Sequence, residues 1–384
     1  MSGMSAATLR PSKPSHSLRR LVLSLATPLG SLSLFLLAAA AVFLYSQTAA
    51  RSYGSSGAAL PLFSPTVESI DGARVIWELP SVGPARAVLF VAHGCRCRPE
   101  NFWPGSPRCP KCVDLPEDVA ITARALERRF AVLAVASAGE CWSLGSEVIA
   151  AKSVIQSWAA KNGLEGLPVV ALGASSGGYF VSKLAVKMSL ASVVIMIAEG
   201  AFGRTAAAPP RAYPPTMFFH MPKDKRRAAL VDRNSKMLRK NGVEVKELQS
   251  LELPLTPTLL SERIHGLDRG KDWNAFKEEG FTDENGYMRE DGRATPWKDA
   301  LVKRGFWEEA SPWADHIQEE LNLAYGYHEM TSLHIDEISE VIGTPELFTM
   351  GSLDKDRLRR DASKTAFLGC PVAAGPGRMT AKTQ

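Results

Sequence analysis

The stretch of sequence that most constrains the fold covers residues 168–188. Its first part, Val169 to Leu172, is apolar and rich in β-branched valine, which is typical of a strand that is buried on both faces. A Gly-x-Ser-x-Gly turn over residues 173–177 follows at once, and apolar residues at helical spacing come next. A serine in a sharp turn between a strand and a helix projects its hydroxyl above the sheet. The stretch therefore predicts Ser175 as a nucleophile.

The turn is strained and needs small residues where the helix crosses the strand, and Gly173 and Gly177 meet that need. Ser176 is the alternative nucleophile, because the residues at 174 and 178 are also small and have the same spacing around it. We favour Ser175, which has glycine on both sides of the motif.

Strands and helices alternate through the region after residue 65. Elements of this length in this order predict an α/β fold, a mostly parallel central sheet with helices on both faces. The predicted strands are Val67–Ile70, Arg74–Leu79, Ala87–Ala92, Phe130–Val135, Pro168–Leu172, Ala191–Ala198, Thr216–Met221 and Val243–Leu248. The predicted helices are Glu117–Arg128, Ser146–Asn162, Tyr179–Met188 and Lys225–Lys240.

The net charge of +5 comes from the amino-terminal segment. Residues 1–60 carry five basic side chains and no acidic one, and the rest of the chain has 40 of each sign. A folded part with balanced charge gives little support to a nucleic-acid partner.

An uncharged apolar run covers residues 21–45, after a basic segment over residues 1–20. Its 25 residues exceed the apolar core of a cleavable signal and suffice to span a bilayer. Four positive charges precede the run, so the positive-inside bias predicts a single-pass signal anchor with the catalytic part lumenal or extracellular. A cleaved signal and an organelle-targeting segment are the alternatives.

Composition divides the remainder of the chain. Residues 46–64 contain glycine and serine and are typical of a linker. The catalytic domain is predicted over residues 65–342, with a strongly charged insertion at 251–312 after the last strand. Residues 343–384 are polar with scattered charges, which favours a disordered tail.

From about residue 65 to 342 the chain resembles the α/β-hydrolase fold family. The turn at 173–177 is similar to the family's nucleophile turn, and Phe90-Val91-Ala92-His93-Gly94 is similar to its oxyanion strand and loop. The apolar run, the cysteine-containing loop after Gly94 and residues 327–332 are similar to a group of plant members. The resemblance implies an acyl-bond hydrolase that uses a serine, an acid and a histidine in that chain order. It does not imply a substrate.

A serine nucleophile needs an imidazole base. In the order of the family the base follows the last strand, which leaves His265, His316, His328 and His334. His316 lies in a predicted helix. We favour His328, because it precedes a terminal helix for which Ser332 is a plausible N-cap. His265, in the insertion, and His334 remain alternatives.

The acid is expected after the strand that ends at Met221. We favour Asp224, which stands where the resembled family places its acid, although an aspartate before Lys225 can also simply be the N-cap of a helix. Glu199 and Asp232 are the alternatives. The oxyanion hole would use the backbone N–H of Ser176 and that of Cys95 or Arg96.

Four of the six cysteines lie in one loop with the spacing C-x-C-x11-C-x2-C, while those at 141 and 370 stand apart. Such a cluster forms either two disulfides or a zinc site, and an oxidising compartment favours disulfides. The four are Cys95, Cys97, Cys109 and Cys112.

The insertion carries Trp273, Phe276, Phe281 and Tyr287. These aromatic side chains either cover the mouth of the active site or form the core of a separate packed subdomain.

The sequence predicts a membrane-anchored serine hydrolase, most simply a carboxylesterase, that acts on a small acyl-containing substrate and uses no cofactor or metal. A peptidase or an acyltransferase would use the same three side chains. The alternative from another class is a catalytically inactive α/β-hydrolase scaffold that binds a ligand or a protein partner.

Overall fold

The computed structural model describes residues 63–202, 213–264, 266–267, 271–305 and 311–337. The predicted anchor, linker and tail lie almost entirely outside these ranges, as does His265. No helix in the described ranges is both long enough and apolar enough to cross a bilayer.

Eight strands form one sheet in the order β1-β2-β4-β3-β5-β6-β7-β8. The pairs β1–β2 and β2–β4 are antiparallel, and the six strands from β4 to β8 pair in parallel. The predicted mostly parallel sheet is therefore confirmed. The strands are β1 (Thr66–Ile70), β2 (Ala73–Glu78), β3 (Ala87–Ala92), β4 (Phe130–Val135), β5 (Val169–Ala174), β6 (Ser192–Met196), β7 (Thr216–His220) and β8 (Val245–Gln249).

Helices cover both faces of the sheet. On one face Trp158, Phe180 and Val231 of three helices pack with strand residues such as Phe90 in one apolar cluster. On the other face, the helix that follows β3 and the helix that follows the insertion pack against the strand side chains that point away from the first face. The helices of the sheet region are α1 (Pro116–Glu127), α2 (Ser146–Lys161), α3 (Ser176–Lys187) and α4 (Lys225–Lys240), with a short 3-10 helix at Pro99–Phe102.

The insertion has an apolar core of its own. Phe276 and Trp297 are fully buried in it and pack with Ile317 and Leu321 of the following helix. Of the aromatic residues considered above, Phe276 is buried in this core and Phe281 packs against it, as expected for a packed subdomain. Its helices are α5 (Leu259–Arg263), α6 (Lys271–Glu278) and α7 (Trp297–Lys303), followed by α8 (Ala314–Tyr325).

Candidate active site

The tight turn after β5 holds Ser175 in a backbone conformation that non-glycine residues rarely adopt. Its φ is 52° and its ψ is −112°, and α3 begins at the next residue. The N–H of Ser175 donates to the carbonyl oxygen of Met196 on the neighbouring strand at 3.0 Å. Strain of this kind persists only where the surroundings over-determine it, and it is concentrated at functional sites.

The glycines of the turn are needed for close backbone packing. A Cβ on Gly173 would lie 2.2 Å from the carbonyl oxygen of Gly177, and one on Gly177 would lie 2.0 Å from that of Ala92. A Cβ on Gly178 would meet the side chain of Ala198 at 2.7 Å. Only glycine lets α3 cross β5 and β3 this closely, which is the physical reason for the sequence pattern.

His328 comes to this turn from the far end of the domain. Helix α8 ends at Tyr325, and its C-cap, Gly326, has a left-handed backbone (φ 69°) that ends the helix and changes the direction of the chain. Nε2 of His328 then lies 3.1 Å from Oγ of Ser175. This separation is within hydrogen-bond reach, as a general base requires.

The surroundings keep the imidazole of His328 neutral. Burial, followed by the nearby cations of Arg227 and Arg293, lowers its pKa to about 4, against the opposing effect of Asp224 and Asp291. A neutral ring at neutral pH can accept a proton on Nε2.

Asp224 has two roles in the structure. It is the N-cap of α4, since Oδ1 accepts from the backbone N–H of Arg227 at 2.9 Å. Its Oδ2 faces His328, 3.9 Å from Nδ1, and accepts from Nε of Arg227 at 3.2 Å. Asp224 therefore caps a helix and also lies 3.9 Å from the imidazole, so the cap does not exclude a role beside His328.

The alternative acids have other partners. Glu199 accepts from Tyr179 Oη at 2.6 Å and pairs with Nη1 of Arg227 at 2.5 Å. Asp232 pairs with Lys236 on the exposed face of α4. Arg227 links Glu199 to Asp224, and no sequence motif predicted this role. Its position three residues after an aspartate N-cap is the one sequence signal that could have revealed it.

The backbone N–H groups that are predicted for the oxyanion hole differ in whether they already donate a hydrogen bond to another acceptor. Ser176 is the first residue of α3, where a backbone N–H has no partner within the helix. The N–H of Arg96 donates to the carbonyl oxygen of Glu140 at 2.6 Å, so Arg96 is not a free donor and that alternative is wrong. The N–H of Cys95 has no hydrogen-bond partner within the described residues, and Cys95 is the candidate that remains.

The ring of His93 braces the loop that carries these donors. Its Nε2 accepts from the N–H of Ser137 at 3.2 Å, which leaves the proton on Nδ1 to donate to the carbonyl oxygen of Gly94 at 2.8 Å. The indole of Trp142 donates to the carbonyl oxygen of His93 at 3.0 Å. Burial lowers the pKa of His93, so the ring stays neutral and the loop stays attached to the segment after β4.

The cysteines pair differently from the prediction. Cys95 forms a disulfide with Cys141, and Cys109 forms one with Cys112, while Cys97 is a free, exposed thiol. A cluster that pairs only within itself, or that binds one zinc ion, is therefore wrong, because three of its four sulfurs are oxidised and one of these pairs with Cys141, outside the cluster. The bridge to Cys141 closes a long loop, which sequence spacing cannot reveal; Cys370 lies outside the described residues.

Two other histidines are placed away from Ser175. His334 precedes the terminal helix, which begins at Ile335, and lies against the ring of Phe219 and near Glu337. His316 is buried within α8. Neither contacts Ser175 in the described part of the chain.

No protein-family model matches the sequence, and no curated protein matches it. Among solved structures the chain is similar to an esterase from Pyrococcus furiosus (13% sequence identity, TM-score 0.36, covering 49% of this chain and 83% of that one). It is also similar to Est1E from Butyrivibrio proteoclasticus (13%, TM-score 0.35, covering 50% and 90%). Carboxyl esterase 2 from Tuber melanosporum is a third (15%, TM-score 0.36, covering 52% and 79%). Likenesses this weak say nothing about activity, so the fold is assigned on the sheet itself.

The sheet and the turn define the class of fold. Eight strands in the order 1-2-4-3-5-6-7-8, antiparallel at β2, with a strained Gly-x-Ser-x-Gly turn after β5, constitute the α/β-hydrolase fold. At the carboxyl end of β5 a hydroxyl, a neutral imidazole and a carboxylate lie in sequence beside backbone N–H groups. Such a set can transfer a proton from the hydroxyl and stabilise an oxyanion.

Proposed function

We propose that this protein is a serine hydrolase that cleaves a carboxylic ester of a small substrate through a covalent acyl-enzyme. The observation that carries the proposal is the 3.1 Å separation between His328 Nε2 and Ser175 Oγ at the strained turn. An imidazole within reach of the hydroxyl is what activates a serine nucleophile, and the strained backbone of Ser175 agrees with a functional site.

The reaction follows from this arrangement. Oγ of Ser175 attacks the ester carbonyl carbon while Nε2 of His328 takes the hydroxyl proton, and Asp224 stabilises the imidazolium that forms. The N–H groups of Ser176 and Cys95 donate to the oxyanion. Collapse expels the alcohol, which receives the proton from His328. Water, deprotonated by the same ring, then attacks the acyl-enzyme and releases the acid.

A fluorophosphonate probe tests this proposal, because it phosphonylates only an activated serine. We expect labelling of the wild-type protein on the peptide that contains Ser175, and loss of labelling in Ser175→Ala. The matched control is Ser176→Ala, which removes the neighbouring hydroxyl and leaves the backbone N–H in place. A folded wild type that takes no label would favour the inactive scaffold, and labelling lost only in the Ser176 variant would assign the nucleophile to Ser176.

Turnover of an ester panel, with amide substrates and alternative acyl acceptors alongside, separates the esterase from a peptidase or an acyltransferase. We expect hydrolysis of short acyl esters of p-nitrophenol. Amide cleavage of comparable efficiency, or transfer to an added alcohol in preference to water, would overturn the ester assignment and retain the nucleophile.

We further propose that residues 21–45 anchor the protein in a membrane with the catalytic domain on the lumenal or extracellular side. The uncharged length of the run and the positive charges before it support this orientation. Two disulfides in the catalytic domain agree with an oxidising compartment. In sealed microsomes the domain should resist added protease until detergent is present and should stay with the membrane after alkaline extraction. Release by extraction would indicate cleavage, and digestion without detergent would reverse the orientation.

A further inference from the structure

Arg293, a side chain of the insertion, contacts the loop that carries the proposed base. We propose that Arg293 is a positioning residue that holds His328 in place from the insertion, an inference that rests on the proposed serine hydrolase chemistry. Nη2 of Arg293 lies 2.7 Å from the carbonyl oxygen of His328 and 2.7 Å from Oε2 of Glu329. The two acceptors belong to consecutive residues, so one guanidinium holds both the backbone and the adjacent side chain of the loop.

Arg293 is itself oriented by Asp291. Oδ1 of Asp291 accepts from the backbone N–H of Arg293 at 2.9 Å and from its Nη1 at 3.3 Å. The carbonyl oxygen of Asp291 accepts from the N–H groups of Ala294 and Thr295. These bonds close a tight turn and present the guanidinium toward the histidine loop.

The turn lies directly on α8. A Cβ on Gly292 would lie 2.8 Å from Oδ1 of Asn322 and 2.9 Å from Cβ of Leu321. Because only glycine allows this approach, the position of the turn, and with it the reach of Arg293, is set by contact with the helix that leads into the histidine loop.

A chain of hydrogen bonds runs from the insertion to Glu329. Nε1 of Trp297 donates to Gln318 at 3.0 Å, Nε2 of Gln318 donates to Asn322 at 2.8 Å, and Nδ2 of Asn322 donates to Oε2 of Glu329 at 2.8 Å. Oε2 of Glu329 thus accepts hydrogen bonds from both Asn322 and Arg293. Burial raises the pKa of Glu329, whereas the cation of Arg293 acts in the opposite direction and favours the carboxylate that accepts these bonds.

The contact also acts on the charge of the imidazole. Arg227 on α4 and Arg293 on the insertion disfavour the protonated ring, and Asp224 and Asp291 favour it. Loss of Arg293 removes one of the two cations, so the pKa of His328 should rise. Hydration of the ring after a loss of packing would also raise this pKa, because burial is the largest cause that lowers it, so a variant that keeps the cation is needed to separate the two effects.

The test compares Arg293→Gln, Arg293→Lys and the control Arg289→Gln. Arg289 belongs to the same insertion and donates from Nε to the carbonyl oxygen of Thr282 at 3.0 Å, without contact to the histidine loop. We expect Arg293→Gln to lower kcat about 10- to 100-fold with KM nearly unchanged, because a small displacement of a base costs up to about 10²-fold. Arg293→Lys should restore the charge effect but only part of kcat, since lysine is a point charge that does not reproduce the planar fork.

Two measurements decide the outcome. The acid limb of the kcat/KM profile should move to higher pH in Arg293→Gln and stay in place in Arg293→Lys and Arg289→Gln. An NMR titration of the imidazole of His328 should show the same displacement whether or not the protein turns over a substrate, so the inference is tested even if no serine is labelled. An unchanged pKa of His328 in Arg293→Gln, or an equal loss of kcat in Arg289→Gln, would overturn it.

Discussion

Oδ2 of Asp224 lies 3.9 Å from Nδ1 of His328 and 3.2 Å from Nε of Arg227. The carboxylate is therefore shared between the imidazole and a guanidinium that also pairs with Glu199. An imidazolium formed during turnover adds a second cation beside Asp224, and this added attraction should draw the ring and the carboxylate closer, as catalytic hydrogen bonds often tighten in the transition state.

The first prediction concerns this shared carboxylate. Asparagine is as good an N-cap as aspartate, so Asp224→Asn should keep α4 capped and the protein folded. It should nevertheless lower kcat by about 10²- to 10⁴-fold, because the neutral amide cannot stabilise the imidazolium. Steady-state kinetics and thermal unfolding of the same preparation check both parts.

Two further variants serve as controls for Asp224. Asp232→Asn removes a carboxylate of the same helix that pairs only with Lys236 on the exposed face, and it should leave kcat unchanged. Glu199→Gln should lower kcat less than Asp224→Asn does, since Glu199 contacts Arg227. A larger loss in Glu199→Gln than in Asp224→Asn would transfer the acid to Glu199.

The second prediction concerns pH. The proposed base would act as the neutral ring, and the pKa of His328 is lowered to about 4. We therefore expect kcat/KM to remain level from neutral pH down to about pH 5 and to fall only below it, instead of falling near the ordinary histidine pKa of about 6.5. An acid limb at about pH 6.5 would contradict the assigned surroundings of the ring.

The same lowered pKa affects stability. Between about pH 6.5 and pH 4 the unfolded chain binds a proton at His328 that the folded chain does not, so the free energy of unfolding should decrease as the pH falls through this window. His328→Gln lacks that contribution. Chemical denaturation of both proteins across the window should show a steeper loss for the wild type, and parallel curves would count against the shift.

The sequence was most informative where one local rule decides the structure. Buried parallel strands are continuous apolar runs, so β3 and β4 have their predicted bounds. Helix α4 also has its predicted bounds, because Asp224 caps its start and Asn241-Gly242 follows its end. Helix α3 begins at Ser176, three residues before the predicted Tyr179, because the strained turn enters the helix without an intervening loop.

Contacts between distant segments were the part that sequence could not reveal. The pairing of Cys95 with Cys141, the use of the Arg96 N–H by Glu140 and the reach of Arg293 to His328 each join segments separated by dozens of residues. No spacing rule encodes them, because they depend on how the loops pack after the sheet has formed. Ser175 and His328 are even farther apart in the sequence, and the chain order of the resembled family was what linked them.

The third prediction concerns the disulfide between Cys95 and Cys141. The bridge and the bond from Arg96 to Glu140 fasten the candidate oxyanion loop to the segment after β4. Replacing both cysteines with alanine should lower stability by about 2–4 kcal/mol. It should also lower kcat about tenfold. This loss is smaller than the roughly 10²- to 10³-fold loss that removal of an oxyanion donor typically causes.

The other bridge supplies the control. Cys109 and Cys112 are three residues apart, so their loop is short and their bridge constrains little of the unfolded chain. The paired alanine variant at these positions should keep kcat within about twofold of wild type, since removing this bridge leaves the oxyanion donors in place. Equal losses of kcat in the two double variants would show that the Cys95–Cys141 bridge has no special relation to the reaction.

The fourth prediction tests the turn itself. Gly177→Ala would place a Cβ 2.0 Å from the carbonyl oxygen of Ala92, on a strand that cannot retreat because it pairs on both sides. We expect a loss of stability of about 3 kcal/mol or more and loss of fluorophosphonate labelling, because relief of the overlap requires α3 to move away from β3. Gly145→Ala is the control: nothing lies within 4 Å of the added carbon, so stability and labelling should stay close to wild type. A stable, fully labelled Gly177→Ala protein would mean that α3 does not cross β3 at this distance, and the strained geometry of Ser175 would then have no structural cause.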